Sequence, residues 1–144
     1  MKVYIGSDHA GYQLKETLRA YISELGYDLE DKGPFEYKPN DDYPDLIRPV
    51  AELVANNKGS LGIILGASGQ GEEMVANKVD GVRAAEYYGG NLEIVRLARQ
   101  HNDANILSLG AKFVTEEQAE SAVKIFLETP FSGEVRHIRR IKKI

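Results

Sequence analysis

The chain of 144 residues contains no cysteine and no tryptophan, and only two methionines and five prolines. Without cysteine there is no disulfide, no thiolate metal site and no cysteine nucleophile, so any chemistry falls to carboxylates, imidazoles, hydroxyls and backbone. A chain free of disulfides fits the cytoplasm. No apolar run is long enough to span a bilayer, and the opening "MKVYIGSDHAG" turns polar too soon for a secretory signal, so no membrane partner is expected. A basic excess is missing too. Lys and Arg number 18 against 22 Asp and Glu, a net charge of −4 that offers nothing to a nucleic-acid backbone.

What remains is an ordinary globular balance, 42% apolar and 28% charged. The length suits one domain, 1–144, with a real core. One local asymmetry stands out: residues 136–144 carry five Lys or Arg and no acid.

Neither repeats nor low-complexity segments interrupt an alternation of strand and helix patterns. "KVYIG" (2–6) reads as a buried strand, and residues 11–25 as a helix with Leu14, Leu18, Ile22 and Leu25 at helical spacing. "YDLED" (27–31) gives a second strand and 32–42 a polar loop. A helix from about residue 44 follows, with Leu46, Val50, Leu53 and Val54 on one face. "LGIIL" (61–65) is the most apolar strand. A helix to about residue 79, a strand within 81–88, a helix over 91–101 and a strand at 105–110 complete the middle. "TEEQ" (115–118) has the form of a capping box ahead of Ala119, Ala122, Val123, Phe126 and Leu127, and a last helix is expected over 131–144. This order predicts a three-layer α/β/α sandwich, Rossmann-like, with a five-stranded parallel sheet. Ligands in such folds bind beyond the carboxyl ends of the strands.

There the sequence places "GASGQGEE" (66–73). Gly66 and Gly71 have the spacing of a P-loop, but Glu72 and Glu73 stand where Lys and Ser or Thr belong, and two carboxylates would repel a triphosphate. The dinucleotide fingerprint fails as well, because the glycines run G-x-x-G-x-G after the third strand. Backbone N–H groups converging at a helix N-terminus still suit a smaller anion, such as the oxyanion formed when a proton leaves a carbon next to a carbonyl. Glu72 then stands within reach as a base. Acids in a first helical turn also complement the helix dipole, and the loop alone does not separate the two readings.

Three more polar stretches need weighing. In "SDHAG" (7–11), Ser7 or Asp8 fits a helix N-cap, while Asp8 also suits sugar hydroxyls and His9 a phosphate. His101 of "HNDAN" ends a helix that runs back to the far edge of the sheet, so it serves either the helix dipole or a neighbouring subunit's site. Arg136 and Arg140 of "RHIRR" (136–140) share a helix face, as a phosphate clamp or a solvated basic end, while Arg139 points elsewhere.

"SDHAG", "DYPD" (42–45), "GASGQGEEMVANKVDGVRAA" (66–85), "HNDANILSLGAK" (101–112) and "RHIRR" together resemble the type B ribose-5-phosphate isomerases, the family that also contains galactose-6-phosphate isomerase. The pieces occur in family order across nearly the whole chain. Many members of that family place a catalytic cysteine where Gly66 stands. A second branch has a glycine-rich loop and a glutamate instead, and this chain is similar to the second.

The resemblance implies an aldose–ketose isomerase that moves a proton between C2 and C1 through a cis-enediolate, without metal, nucleotide or other cofactor. Glu72 would be the base, His101 of a partner subunit would open the sugar ring, and Ser68 with the backbone of Ala67, Gly69, Gln70 and Gly71 would hold the oxyanion. Asp8, Tyr43 and the partner's Asn102 would hold the sugar, and His9, Lys112, Arg136 and Arg140 its phosphate. Lys112 replaces a usual arginine and lacks its planar fork. A homodimer or tetramer with shared sites is implied. A hexose 6-phosphate (allose or galactose) is the alternative substrate, and a non-catalytic phosphosugar sensor the alternative of another class. Glu73 has no assigned role.

Overall fold

The computed structural model describes the whole chain, Met1–Ile144. Five strands, β1 (Lys2–Ser7), β2 (Asp28–Asp31), β3 (Leu61–Gly66), β4 (Ala84–Tyr87) and β5 (Ile106–Gly110), pair in the order β2-β1-β3-β5-β4. Every pairing is parallel. Helices α1 (Tyr12–Glu24), α4 (Glu93–Asn102) and α5 (Glu116–Glu128) cover one face, and α2 (Tyr43–Asn56) and α3 (Gln70–Ala76) the other. A short α6 (Val135–Ile141) packs on α4. The expected α/β/α sandwich is the fold observed.

The two-residue period of the strands sorts the core between the faces. Val3, Ile5, Ile63, Leu65, Leu107 and Leu109 face α1, α4 and α5. Tyr4, Ile64 and Ile106 face α2 and α3. All six residues of β3 are buried, as its unbroken apolar run requires of a central strand covered on both sides. The capping box forms as read: Thr115 accepts from the Gln118 N–H at 3.1 Å, and Gln118 accepts in return from the Thr115 N–H at 2.9 Å.

Several details differ from the sequence reading. On α2 the buried stripe is Ile47, Val50, Ala51 and Val54, while Leu46 and Leu53 are only partly covered. The observed set keeps an i, i+3, i+4, i+7 spacing and aims one continuous stripe at the sheet. Helix α1 buries Lys15 beside Leu18 and Ile22, because the ammonium reaches Asp31 of β2 at 2.7 Å and Glu16 at 2.9 Å. Neither Ser7 nor Asp8 caps α1. Its N-cap is Gly11, and Asp8 instead accepts the Gly11 N–H at 3.0 Å. Helices α3 and α6 are shorter than expected, seven residues each.

The chain leaves β1 toward β2 on one side and returns to place β3 on the other. The carboxyl ends of β1 and β3 therefore part around a crevice, the usual ligand position in an open parallel sheet. Ile47→Ala should lower stability by about 2–5 kcal/mol and Leu46→Ala by clearly less, read from urea midpoints at one protein concentration with the slope unchanged.

Candidate active site

The crevice is walled by Asp8 and His9 after β1, and by the loop after β3. Gly69 takes a left-handed conformation, φ +82°, at the N-cap of α3, which lets the chain turn from strand into helix within three residues. From below, Ser108 of β5 donates to the Gly69 carbonyl at 2.7 Å. At the side, the Lys112 N–H donates to the Ala67 carbonyl at 3.0 Å. Tyr43, the first residue of α2, lies over Gly71 so closely that a Cβ there would meet its ring at 2.8 Å. The Ser68 hydroxyl accepts the Gln70 N–H at 3.2 Å, and its own proton stays free to donate.

Glu72 turns inward and is 4% exposed. Its carboxylate fills the space above Gly66: a Cβ built on Gly66 would fall onto it. Burial pushes the Glu72 pKa up to about 7, its own backbone N–H pulls the other way, and the adjacent Asp8 carboxyl adds to the rise. First-turn acids that merely complement a helix dipole stay in water; Glu72 does not.

Glu86 of β4 joins this region, and nothing in its spacing announced it. It pairs in register with Ser108, its Oε1 is buried without a hydrogen-bond partner, and burial followed by the charges of Glu73 and Glu72 raises its pKa to about 7. Glu73 is half-buried and likewise raised by desolvation. The only available signal was an acid within the short strand "AAEY". His9 also has an unforeseen partner, Asp41, whose Oδ1 lies 2.7 Å from Nδ1.

The remaining sequence-predicted residues gather elsewhere. Helix α4 ends at Asn102, whose carbonyl accepts from Nε of Arg83 at 2.9 Å, and Arg83 immediately precedes β4. This is the edge where the strands begin. The loop lies where they end, roughly 17–20 Å away along a strand of this length. His101 stacks on His137 of α6 with ring centroids 4.4 Å apart and planes at 14°. His137 is buried, and desolvation followed by the neighbouring His101 and Arg136 holds its pKa below the usual range. Arg136 donates to Glu134 at 2.8 Å.

One chain thus assembles Asp8, His9, Tyr43, Ala67, Ser68, Gly69, Gln70, Gly71, Glu72 and Lys112 at one edge, and His101, Asn102, Arg136 and Arg140 at the other. His9 and Lys112 do not meet the two arginines within a subunit, so the expected four-residue phosphate grip is split. Chemically, the first group offers a base poised near neutrality beside a turn of backbone donors. The second offers an imidazole with cationic neighbours.

A family described as Ribose/Galactose Isomerase matches residues 3–144. The chain is 42% identical to the ribose-5-phosphate isomerase B of Mycolicibacterium paratuberculosis over 98% of its length and 87% of that protein. Identity to the enzyme of Mycobacterium leprae is also 42%, over 98% of the chain and 86% of the relative. The crystal structure of ribose-5-phosphate isomerase B from Mycoplasma genitalium with bound ribulose-5-phosphate superposes with a TM-score of 0.93 at 40% identity, covering 99% of this chain and 92% of that one.

Glu72→Gln gives a sign-specific stability test. An acid whose folded pKa lies above its unfolded one contributes stability at low pH and loses it as pH rises through the folded value. The variant should therefore match wild type near pH 4 and exceed it at pH 8 by on the order of 1–3 kcal/mol, measured by thermal or urea denaturation.

Proposed function

The chain belongs to the ribose/galactose isomerase family, and we propose that Glu72 is the base with which it interconverts ribose 5-phosphate and ribulose 5-phosphate. The reaction is an aldose–ketose isomerisation of carbohydrate metabolism. Nothing is oxidised overall: a proton moves from C2 to C1 and the carbonyl from C1 to C2.

Glu72 takes the C2 proton, and the C–H electron pair becomes the C1–C2 double bond of a cis-enediolate. The charge that develops on the former carbonyl oxygen meets the Ser68 hydroxyl and the backbone N–H groups of the 67–71 turn at the start of α3, where the Gln70 N–H serves by holding Ser68 Oγ in place. The hydroxyl proton on O2 passes to O1, its cis neighbour, and Glu72 returns its own proton to C1 as the C1–C2 double bond gives way to the carbonyl at C2. A base works best when its pKa is near the working pH, and burial brings Glu72 to about 7.

The observation that carries this reading is spatial. The Glu72 carboxylate occupies the volume that any side chain at position 66 would need. In a family where many members have cysteine at that position, glycine there and glutamate at 72 supply one acid–base group to one place. This supports membership of the glutamate-base branch.

The split between the two edges supports shared sites. In a homodimer, or a tetramer of such dimers, His101 of one subunit would open the furanose ring held by the other, with the partner's Asn102 on the sugar. The partner's Arg136 and Arg140 would close on a phosphate that His9 and Lys112 hold from the near side; the phosphate then stays clear of the glycine loop. Asp8 and Tyr43 would grip the sugar hydroxyls. The chain works as one domain. A cytoplasmic setting would suit a chain with no cysteine, in which no helix is long and apolar enough to cross a membrane.

Proton NMR of ribose 5-phosphate in deuterated water tests the base. Wild type should exchange deuterium into C2 of the aldose, and Glu72→Gln should slow exchange at least about a hundredfold; equal rates would remove Glu72 from the role. The shared site has its own measurement. Mixing inactive Glu72→Gln with inactive His101→Ala should restore part of the activity through heterodimers, and no recovery despite subunit exchange would count against it.

A further inference from the structure

His9 carries an interaction that the isomerase reading does not use. Asp41, at the end of the loop 32–42, accepts twice on the same oxygen. Its Oδ1 takes the His9 backbone N–H at 3.2 Å and lies 2.7 Å from the ring Nδ1. The Asp41 side chain is 10% exposed, against 35% for His9, and Oδ2 is buried without a partner. A carboxylate so poorly served by water or protein gains most from a cation, and the one it touches is the imidazole.

We propose that Asp41 is a positioning residue for substrate phosphate: it commits Nδ1–H of His9 to its own carboxylate, fixes the ring, and leaves Nε2–H of an imidazolium as the free donor to the phosphate. The role rests on the reading of His9 as a phosphate ligand. An aspartate that ties one ring nitrogen sets which proton the other presents, as carboxylate–histidine pairs do at metal sites.

The charged surroundings agree in sign. The bond to Asp41 raises the His9 pKa above 6.5, desolvation lowers it, Asp8 and the charge of Asp41 raise it, and Lys112 lowers it. Tyr37, on the same loop as Asp41, meets the imidazole edge-on with centroids 6.2 Å apart and adds no charge. Lys112 opposes the charge on His9 most weakly of these groups, and the bond to Asp41 favours it most strongly. Asp41 lets both cations face one phosphate while Glu72 is ionised. The loop anchored by Asp41 also carries Phe35 and Tyr37, both well exposed beside this end of the crevice.

A plain anchor for the loop would show none of the pH behaviour that follows from this role. In Asp41→Asn, the His9 imidazole should titrate at a lower pH than in wild type, followed by NMR of the side-chain resonances in the ligand-free enzyme. KM for ribose 5-phosphate should rise about fivefold or more at pH 8 and less than about twofold at pH 6, where His9 stays protonated without help; kcat should hold, because the phosphate lies away from C1 and C2. Unchanged titration overturns the role of Asp41 and leaves His9 as a phosphate ligand. Lowered titration with KM unchanged at both pH values overturns the link to phosphate, and if His9→Gln also keeps the wild-type KM, the reading of His9 falls with it. Should Asp41→Asn not fold, wild type decides: a His9 that titrates at or below 6.5 overturns the proposal.

Discussion

The carboxylate of Glu72 and the missing side chain of Gly66 are two halves of one packing constraint. Only three residues separate the end of the central strand from a seven-residue helix, whose first turn must aim somewhere. With a Cβ at position 66, Glu72 would swing out to water, keep an ordinary pKa and become a helix-end acid. With glycine there, the carboxylate drops into the crevice, loses water and approaches Asp8. Both of its properties, a pKa near 7 and a fixed position beside the loop, follow from that burial. The surrounding parts serve the same geometry: left-handed Gly69 makes the turn, Ser108 pins it from beneath, and Tyr43 closes it from above.

Taking acid out of water is costly, and this protein does it three times in one region, fully at Glu72 and partly at Glu73 and Glu86. Such a concentration weakens the fold as pH rises. It is a local form of the exchange between stability and function that strained or desolvated sites make. Elsewhere the fold is conventional, with apolar strands sorted by parity between two helical layers.

The second constraint comes from direction. In a parallel sheet every strand ends at the same edge, so each helix that leads into a strand must finish at the opposite edge. Asp8 and Glu72 follow strands, whereas His101 and Asn102 precede one. Within one chain the two groups stay at opposite edges of the sheet, which is why the proposed function draws on a second copy. In the proposed shared site, the His101–His137 stack and the arginines of α6 would be the half supplied by the partner subunit.

Strand order aside, most of the fold was legible in the sequence. The all-apolar "LGIIL", the capping box at Thr115 and the five buried positions of α5 needed only periodicity and turn chemistry, because those signals are local. The α2 stripe was misjudged at two of its four places, with Ile47 and Ala51 buried instead of Leu46 and Leu53, since both pairs are apolar and only the sheet decides which faces inward. Strand-end position raised Glu72, Ser68, His9 and the far-edge His101 as candidates and the resemblance to the isomerase family gave them roles; the fold sets the first three at one edge and His101 at the other. What the tertiary structure alone decided was which groups lose water and which meet. Asp41 is 32 residues from His9, and Glu86 reaches Glu72 across a strand pairing. Desolvation and long-range contact are properties of the packed chain, so no local pattern encodes that Glu72 titrates near neutrality or that His9 has a carboxylate behind it.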